Sequence, residues 1–229
     1  MKFDLVQIAL PLILVAFPFY LSKKRNQRKV GGILFSLSLL FLSLYFLKTF
    51  LPSIESHQKL QEFFQHLSHY GFLTNLLFIL FGILLTVLVH FSSASITIAI
   101  LLASKGLPIE LAAMIVLGAN IGTTFTAHLV AAIGDKYTKV VAAFHTFFNI
   151  VIALIFMLIA NFVLKFIGST ISSNIAVQLI TFDTISNLVG VILFTPFINK
   201  IAFYCQKKYF SIKSTDNKLE FYAIPFGTN

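Results

Sequence analysis

Residues 72–104 read FLTNLLFILFGILLTVLVHFSSASITIAILLAS, a run without a single Asp, Glu, Lys or Arg. About 20 consecutive apolar residues cross the hydrocarbon core of a bilayer. This run exceeds one straight span and is too apolar for a soluble helix. Its character changes at His90-Phe91-Ser92-Ser93-Ala94-Ser95, where small and hydroxyl-bearing residues replace Leu and Ile. The reading that fits is a membrane helix broken in its interior. Backbone groups freed by a break cannot stay unpaired in hydrocarbon, so breaks occur where they line a cavity or hold a ligand.

The rest of the chain agrees with a membrane setting. Hydrophobic residues make up 58% of 229 positions and charged residues 11%, against roughly 45–50% and about 25% in soluble domains. Mean hydropathy is +0.91. The net charge of +9 lies in short runs between apolar stretches, which reads as topology signal and excludes nucleic acid as a partner. Cys205 is the single cysteine, so neither an intrachain disulfide nor a thiol metal cluster is expected. The first apolar run precedes Lys23, Lys24 and Arg25. A signal peptide has the opposite order, so this run reads as a span.

Further apolar runs cover 5–22 (holding Pro11 and Pro18), 30–50, 108–133, 140–167 and 176–199. Between the second and third, residues 51–70 are polar, with Leu60, Phe63, Phe64 and Leu67 at helical spacing, which predicts an amphipathic surface helix. Lys105-Gly106-Leu107-Pro108 reads as a turn and 135–139 as a charged loop. The fold class expected is an all-α integral membrane protein. It has about five spanning helices plus a re-entrant hairpin with broken helices over 1–205, and a polar tail over 206–229. Basic stretches at 23–29, 136–139 and 200–213 place those segments, and the C-terminus, in the cytoplasm of a multi-pass plasma-membrane protein.

A second break is expected within 118–126, where Gly118, Gly122, Asn120, Thr123, Thr124 and Thr126 cluster. Half-helix N-termini attract anions, while carbonyls and hydroxyls coordinate Na⁺. Gly spacing also serves close helix packing, and Ser or Thr also bonds back to its own helix. An internal echo joins Phe144-His145-Thr146-Phe147-Phe148-Asn149 to Phe182-Asp183-Thr184-Ile185-Ser186-Asn187 as F-x-T-x-x-N. His145 and Asn149 share one helical face, which suits an interhelix hydrogen bond or substrate contact. Asp183 is the acid well inside an apolar span, a functional candidate or a packing partner. His128 is placed to line the cavity at 118–126. No H-E-x-x-H, P-loop or dinucleotide fingerprint occurs, so neither an enzyme, a metal centre nor a cofactor is expected.

Gly118–Ala127, GANIGTTFTA, and Ala143–Asn149, AFHTFFN, resemble the sodium/phosphate cotransporter family. That family carries G-[AE]-N-I-G-T-T-x-T-A and A-H-x-x-F-N after a broken-helix Q-S-S-S-A. Here His90 and Phe91 stand at the Gln and first Ser, so the family's site carries over to Ser92 and Ser93. The resemblance covers about residues 5–205 and implies sodium-dependent phosphate symport at a mid-membrane site. Its substrate- and ion-binding residues would be His90, Ser92, Ser93, Thr97, Asn120, Gly122, Thr123 and Thr124, with His145, Asn149 and Asp183 in support. Na⁺ would be the coupling ion. The family pairs two inverted repeats and this chain shows one signature, so it resembles the second half. It would then act whole or in part, as a homodimer, or as a non-transporting subunit beside a chain supplying the first repeat.

Overall fold

The computed structural model describes residues 5–50 and 71–198. The amphipathic segment at 51–70, Cys205 and the polar tail lie outside them. Every element among the described residues is helical: α1 (Leu5–Tyr20), α2 (Arg25–Phe50), α3 (Phe72–Val89), α4 (Ser92–Ser104), α5 (Ile109–Ile133), α6 (Lys136–Thr170), α7 (Ile175–Phe194) and a 3-10 turn at Thr195–Phe197. Five helices are long and apolar enough to cross a membrane: α2, α3, α5, α6 and α7. The protein is an all-α, multi-pass membrane protein. α1, with Pro11 and Pro18 inside it, has 16 residues, about 24 Å of helix, and is shorter than the span expected over 5–22.

α1 and α2 form a tight hairpin. Ala9 and Ala16 on α1 and Ser38 on α2 are fully buried, the small side chains that let membrane helices approach. A side chain on Gly31 would overlap the backbone of Phe19 and Tyr20. The Tyr20 and Phe35 rings stack at 5.4 Å.

The other five helices share one core, and glycine contacts set its register. A Cβ on Gly82 would run into the Ile115 carbonyl, and one on Gly118 into the Ile79 carbonyl. A Cβ on Gly122 would lie 2.8 Å from Thr86 Cβ. Positions rise together on both helices, so α3 and α5 run parallel with their backbones touching. α4 therefore returns antiparallel to both. A Leu107 N–H bond to the Leu102 carbonyl at 3.0 Å and a Gly106 N–H bond to Ala103 at 3.2 Å close α4, with Gly106 at φ +106. α3 and α4 form a helical hairpin whose two open ends lie beside the start of α5.

α6 and α7 complete the bundle. Asp135 caps α6, accepting from the Thr138 N–H at 2.8 Å and its hydroxyl at 2.7 Å, so the expected charged loop shrinks to Gly134 and Asp135. Asn174 caps α7 through the Ala176 and Val177 N–H groups. Phe156 and Phe182 meet edge to face at 5.7 Å, and Phe194 packs on Phe144, Phe147 and Phe148. α5 is the central strut, with Ala112, Ala113, Ile115, Val116 and Ala119 wholly inaccessible.

Candidate functional site

The first break is where the sequence placed it. α3 ends at Val89, His90 adopts the left-handed region at φ 61, and Phe91 is extended at φ −138 and ψ 114. His90 is the one non-glycine residue with positive φ among the described residues, a conformation His tolerates better than most. Its N–H donates to the Thr86 carbonyl at 2.7 Å, closing α3. α4 opens with Phe91 as N-cap, which supplies no side-chain hydrogen bond. The first intrahelical bond of α4 is Ser95 N–H to Phe91 carbonyl at 3.3 Å. The amides of Ser92, Ser93 and Ala94 therefore precede the helix ladder, at the positive end of its dipole.

A buried hydroxyl pair holds the hairpin closed. Thr86 Oγ1 donates to Ser95 Oγ at 2.7 Å, and both residues are inaccessible. The same Thr86 packs against Gly122. The break and the GANIGTT segment thus meet through Thr86. Nothing in the sequence reading singled out Thr86. The signal available was its spacing: Thr86 and Ser95 each lie one helical turn from the His90–Phe91 joint.

The second break is absent. α5 runs uninterrupted through Gly118–Thr124. Its glycines admit the α3 backbone instead of bending the helix. Its hydroxyls turn inward to their own ladder: Thr123 bonds the Ala119 carbonyl at 2.9 Å, Thr124 that of Ile121 at 2.7 Å and Thr126 that of Thr123 at 2.8 Å. The expectation of free backbone groups here is corrected, because close packing used the same residue types.

The other candidates fall into place unequally. Asn120 Nδ2 donates to Asp183 Oδ1 at 2.7 Å, joining α5 to α7. Asn187 Nδ2 adds a bond to the same oxygen at 3.1 Å. Ser92 is half-buried, whereas His90 and Ser93 are exposed. Thr97 bonds the Ser93 carbonyl at 2.8 Å. Asn149 is buried and donates to the His145 carbonyl of its own helix at 2.9 Å. His128 is exposed and its Nε2 pairs with Thr146 Oγ1 at 2.7 Å, linking α5 to α6.

The echo has a structural counterpart. Asn187 donates to the Asp183 carbonyl at 2.9 Å as Asn149 does to His145. Thr184 bonds the carbonyl of Ile180 at 2.9 Å as Thr146 bonds that of Ala142 at 3.1 Å. Both copies use one local hydrogen-bond pattern on adjacent helices.

Comparison with known proteins adds a family. Residues 56–167 match the Na+/Pi-cotransporter family. The "Uncharacterized protein YqeW" of Bacillus subtilis (strain 168) is 30% identical over 122 residues, covering 53% of this chain and 39% of that protein. The "Putative inorganic phosphate export protein YjbB" of Escherichia coli (strain K12) is 25% identical over 208 residues, covering 90% of this chain and 37% of that protein. The Shigella flexneri protein of the same name matches equally. The chain thus spans well under half the length of these relatives. No solved structure matches it.

Proposed function

From the match of residues 56–167 to the Na+/Pi-cotransporter family, we propose that this chain takes part in moving inorganic phosphate across the plasma membrane with Na⁺ as coupling ion. The observation that carries this reading is the uncapped N-terminus of α4 at the His90–Phe91 break, fixed to α3 by the buried Thr86–Ser95 bond one turn away. Amides that precede the helix ladder are a ready anion site. Phosphate would be held by the amides of Ser92 and Ser93 and their hydroxyls, with Thr97 one turn along. Gly122, Thr123 and Thr124 would back that site from α5.

Direction follows from charge. The α1–α2 turn carries Lys23, Lys24, Arg25, Arg28 and Lys29, and Lys136 and Lys139 follow the α5–α6 turn. With both on the cytoplasmic side, the hairpin enters from outside and its tip points inward. Alternating access would shift the hairpin and its supporting span against the remaining helices.

A second reading is supported by Phe91, exposed and apolar at the joint where an anion would dock. In that reading the chain is a membrane subunit that lacks transport by itself and completes its site with a partner chain or a second copy. Radiolabelled phosphate uptake into proteoliposomes, with and without an inward Na⁺ gradient, separates the two. Gradient-driven uptake by the chain alone supports transport. Uptake equal to protein-free vesicles excludes it for the isolated chain.

A further inference from the structure

The side-chain cluster around Asp183 does something the anion site does not require. Asn120 sits about eleven residues into α5, roughly 16 Å along it, so the cluster lies near mid-depth of the bundle. Among the described residues Asp183 accepts two side-chain hydrogen bonds, both on Oδ1, from Asn120 at 2.7 Å and Asn187 at 3.1 Å. It has no ion-pair partner among them. A carboxylate in an apolar span without a counter-charge is costly, and such groups pair or mark an ion path.

The hydrogen bonds decide what the three side chains can still offer. A carboxylate only accepts, so each Asn must turn its amide nitrogen toward Asp183. Asn187 spends its nitrogen again on the Asp183 carbonyl at 2.9 Å. What remains is Asp183 Oδ2 and the amide oxygens of Asn120 and Asn187. That is one negative charge and two neutral oxygens, contributed by two helices. Oxygen ligands with one carboxylate suit a hard monovalent cation. Ca²⁺ sites recruit more carboxylates, and no group of three His, Cys, Asp or Glu occurs among the described residues. Among the described side chains of the packed helices the titratable groups are Glu110 and His128 on α5 and Lys139, His145 and Lys165 on α6. None bonds Asp183. α4 carries none.

We infer that Asp183, Asn120 and Asn187 form a Na⁺ site in which the ion supplies the missing counter-charge. This deepens the transport reading by locating its coupling ion, yet its test needs neither phosphate nor transport. Radiolabelled sodium retention by the purified full chain in micelles, with choline replacing other monovalent cations, measures it. Wild type is expected to bind saturably. Asp183→Asn, which keeps shape and removes the charge, is expected to weaken binding about tenfold or more, the effect of losing a charged ligand. Thr184→Ala, exposed on the same helix, is expected to match wild type. Size-exclusion profile and helical circular dichroism check that each variant is folded. A folded Asp183→Asn protein that binds like wild type places the ion elsewhere and overturns the inference. So does a wild-type protein without saturable binding, for which an infrared band of a protonated carboxyl lost in Asp183→Asn would identify the proton as the counter-charge.

Discussion

Thr86 and Ser95 stand on opposite arms of a helical hairpin and share a 2.7 Å hydrogen bond with no access to solvent. Thr86 also closes its own helix through its carbonyl and packs on Gly122 of α5. One residue therefore fixes the break, the returning arm and the strut behind them.

Replacing Thr86 by Val keeps the β-branched shape and deletes the donor. Interhelix hydrogen bonds in membranes contribute on average about 0.6 kcal/mol and up to about 1.7. The loss of Thr86 should fall at the upper end, because Ser95 is left without its donor in a buried position. A thermal melt in detergent should show Thr86→Val less stable than wild type and Thr86→Ser close to it. A double-mutant cycle with Ser95→Ala should return most of the cost as coupling.

The α3–α5 contact predicts a sharp glycine pattern. Gly118→Ala and Gly82→Ala each drive a methyl into a backbone carbonyl of the facing helix. Overpacking costs about 1–3 kcal/mol, more than the gain of up to about 1 kcal/mol from replacing Gly by Ala in a helix. Gly32→Ala is the control, since nothing lies within 4 Å of its added carbon. Melting temperatures should fall for the first two and hold or rise for the third.

Phe91→Ser should separate stability from ligand binding. Phe91 has the extended backbone of an N-cap but no acceptor. A serine there caps the second or third amide of α4 and stabilises the helix by about 0.5–2 kcal/mol. The melting temperature should rise. Combined with His90→Gln, the change should also increase phosphate uptake if the break is the anion site; raised stability with unchanged uptake argues for the subunit reading.

Asp135→Ala removes the cap of α6 and both bonds to Thr138. A cost near 1 kcal/mol is expected, and Asp135→Asn should recover most of it. Melts of the three proteins in one detergent check this.

The fold was legible where chemistry is local. The interior break at 90–91 follows from a long uncharged run whose apolar residues give way to hydroxyls, and the turn at Gly106 from its own residue types. The error at 118–124 has the opposite origin. Gly118 and Gly122 look the same in a broken helix and in one pressed against a neighbour. What decides is Gly82, which lies on another helix and aligns with them only after folding. Asp183 was legible as an acid out of place. Its partner Asn120, 63 residues away, was not, because nothing in a single chain of letters pairs them.

The parallel seam of α3 and α5 has a mechanical consequence. No side chain stands between the two backbones at Gly82 and Gly118, so there is no rotamer to relax and no layer to slide on. α3 and α5 must translate as one rigid piece, carrying the hairpin tip with them. α4 is bound to that piece by its turn, by the Thr86–Ser95 bond and by Ala99 and Ala103 buried in the shared core, so it travels with it. Any stroke that opened the proposed site would then carry α3, α4 and α5 together past α6 and α7.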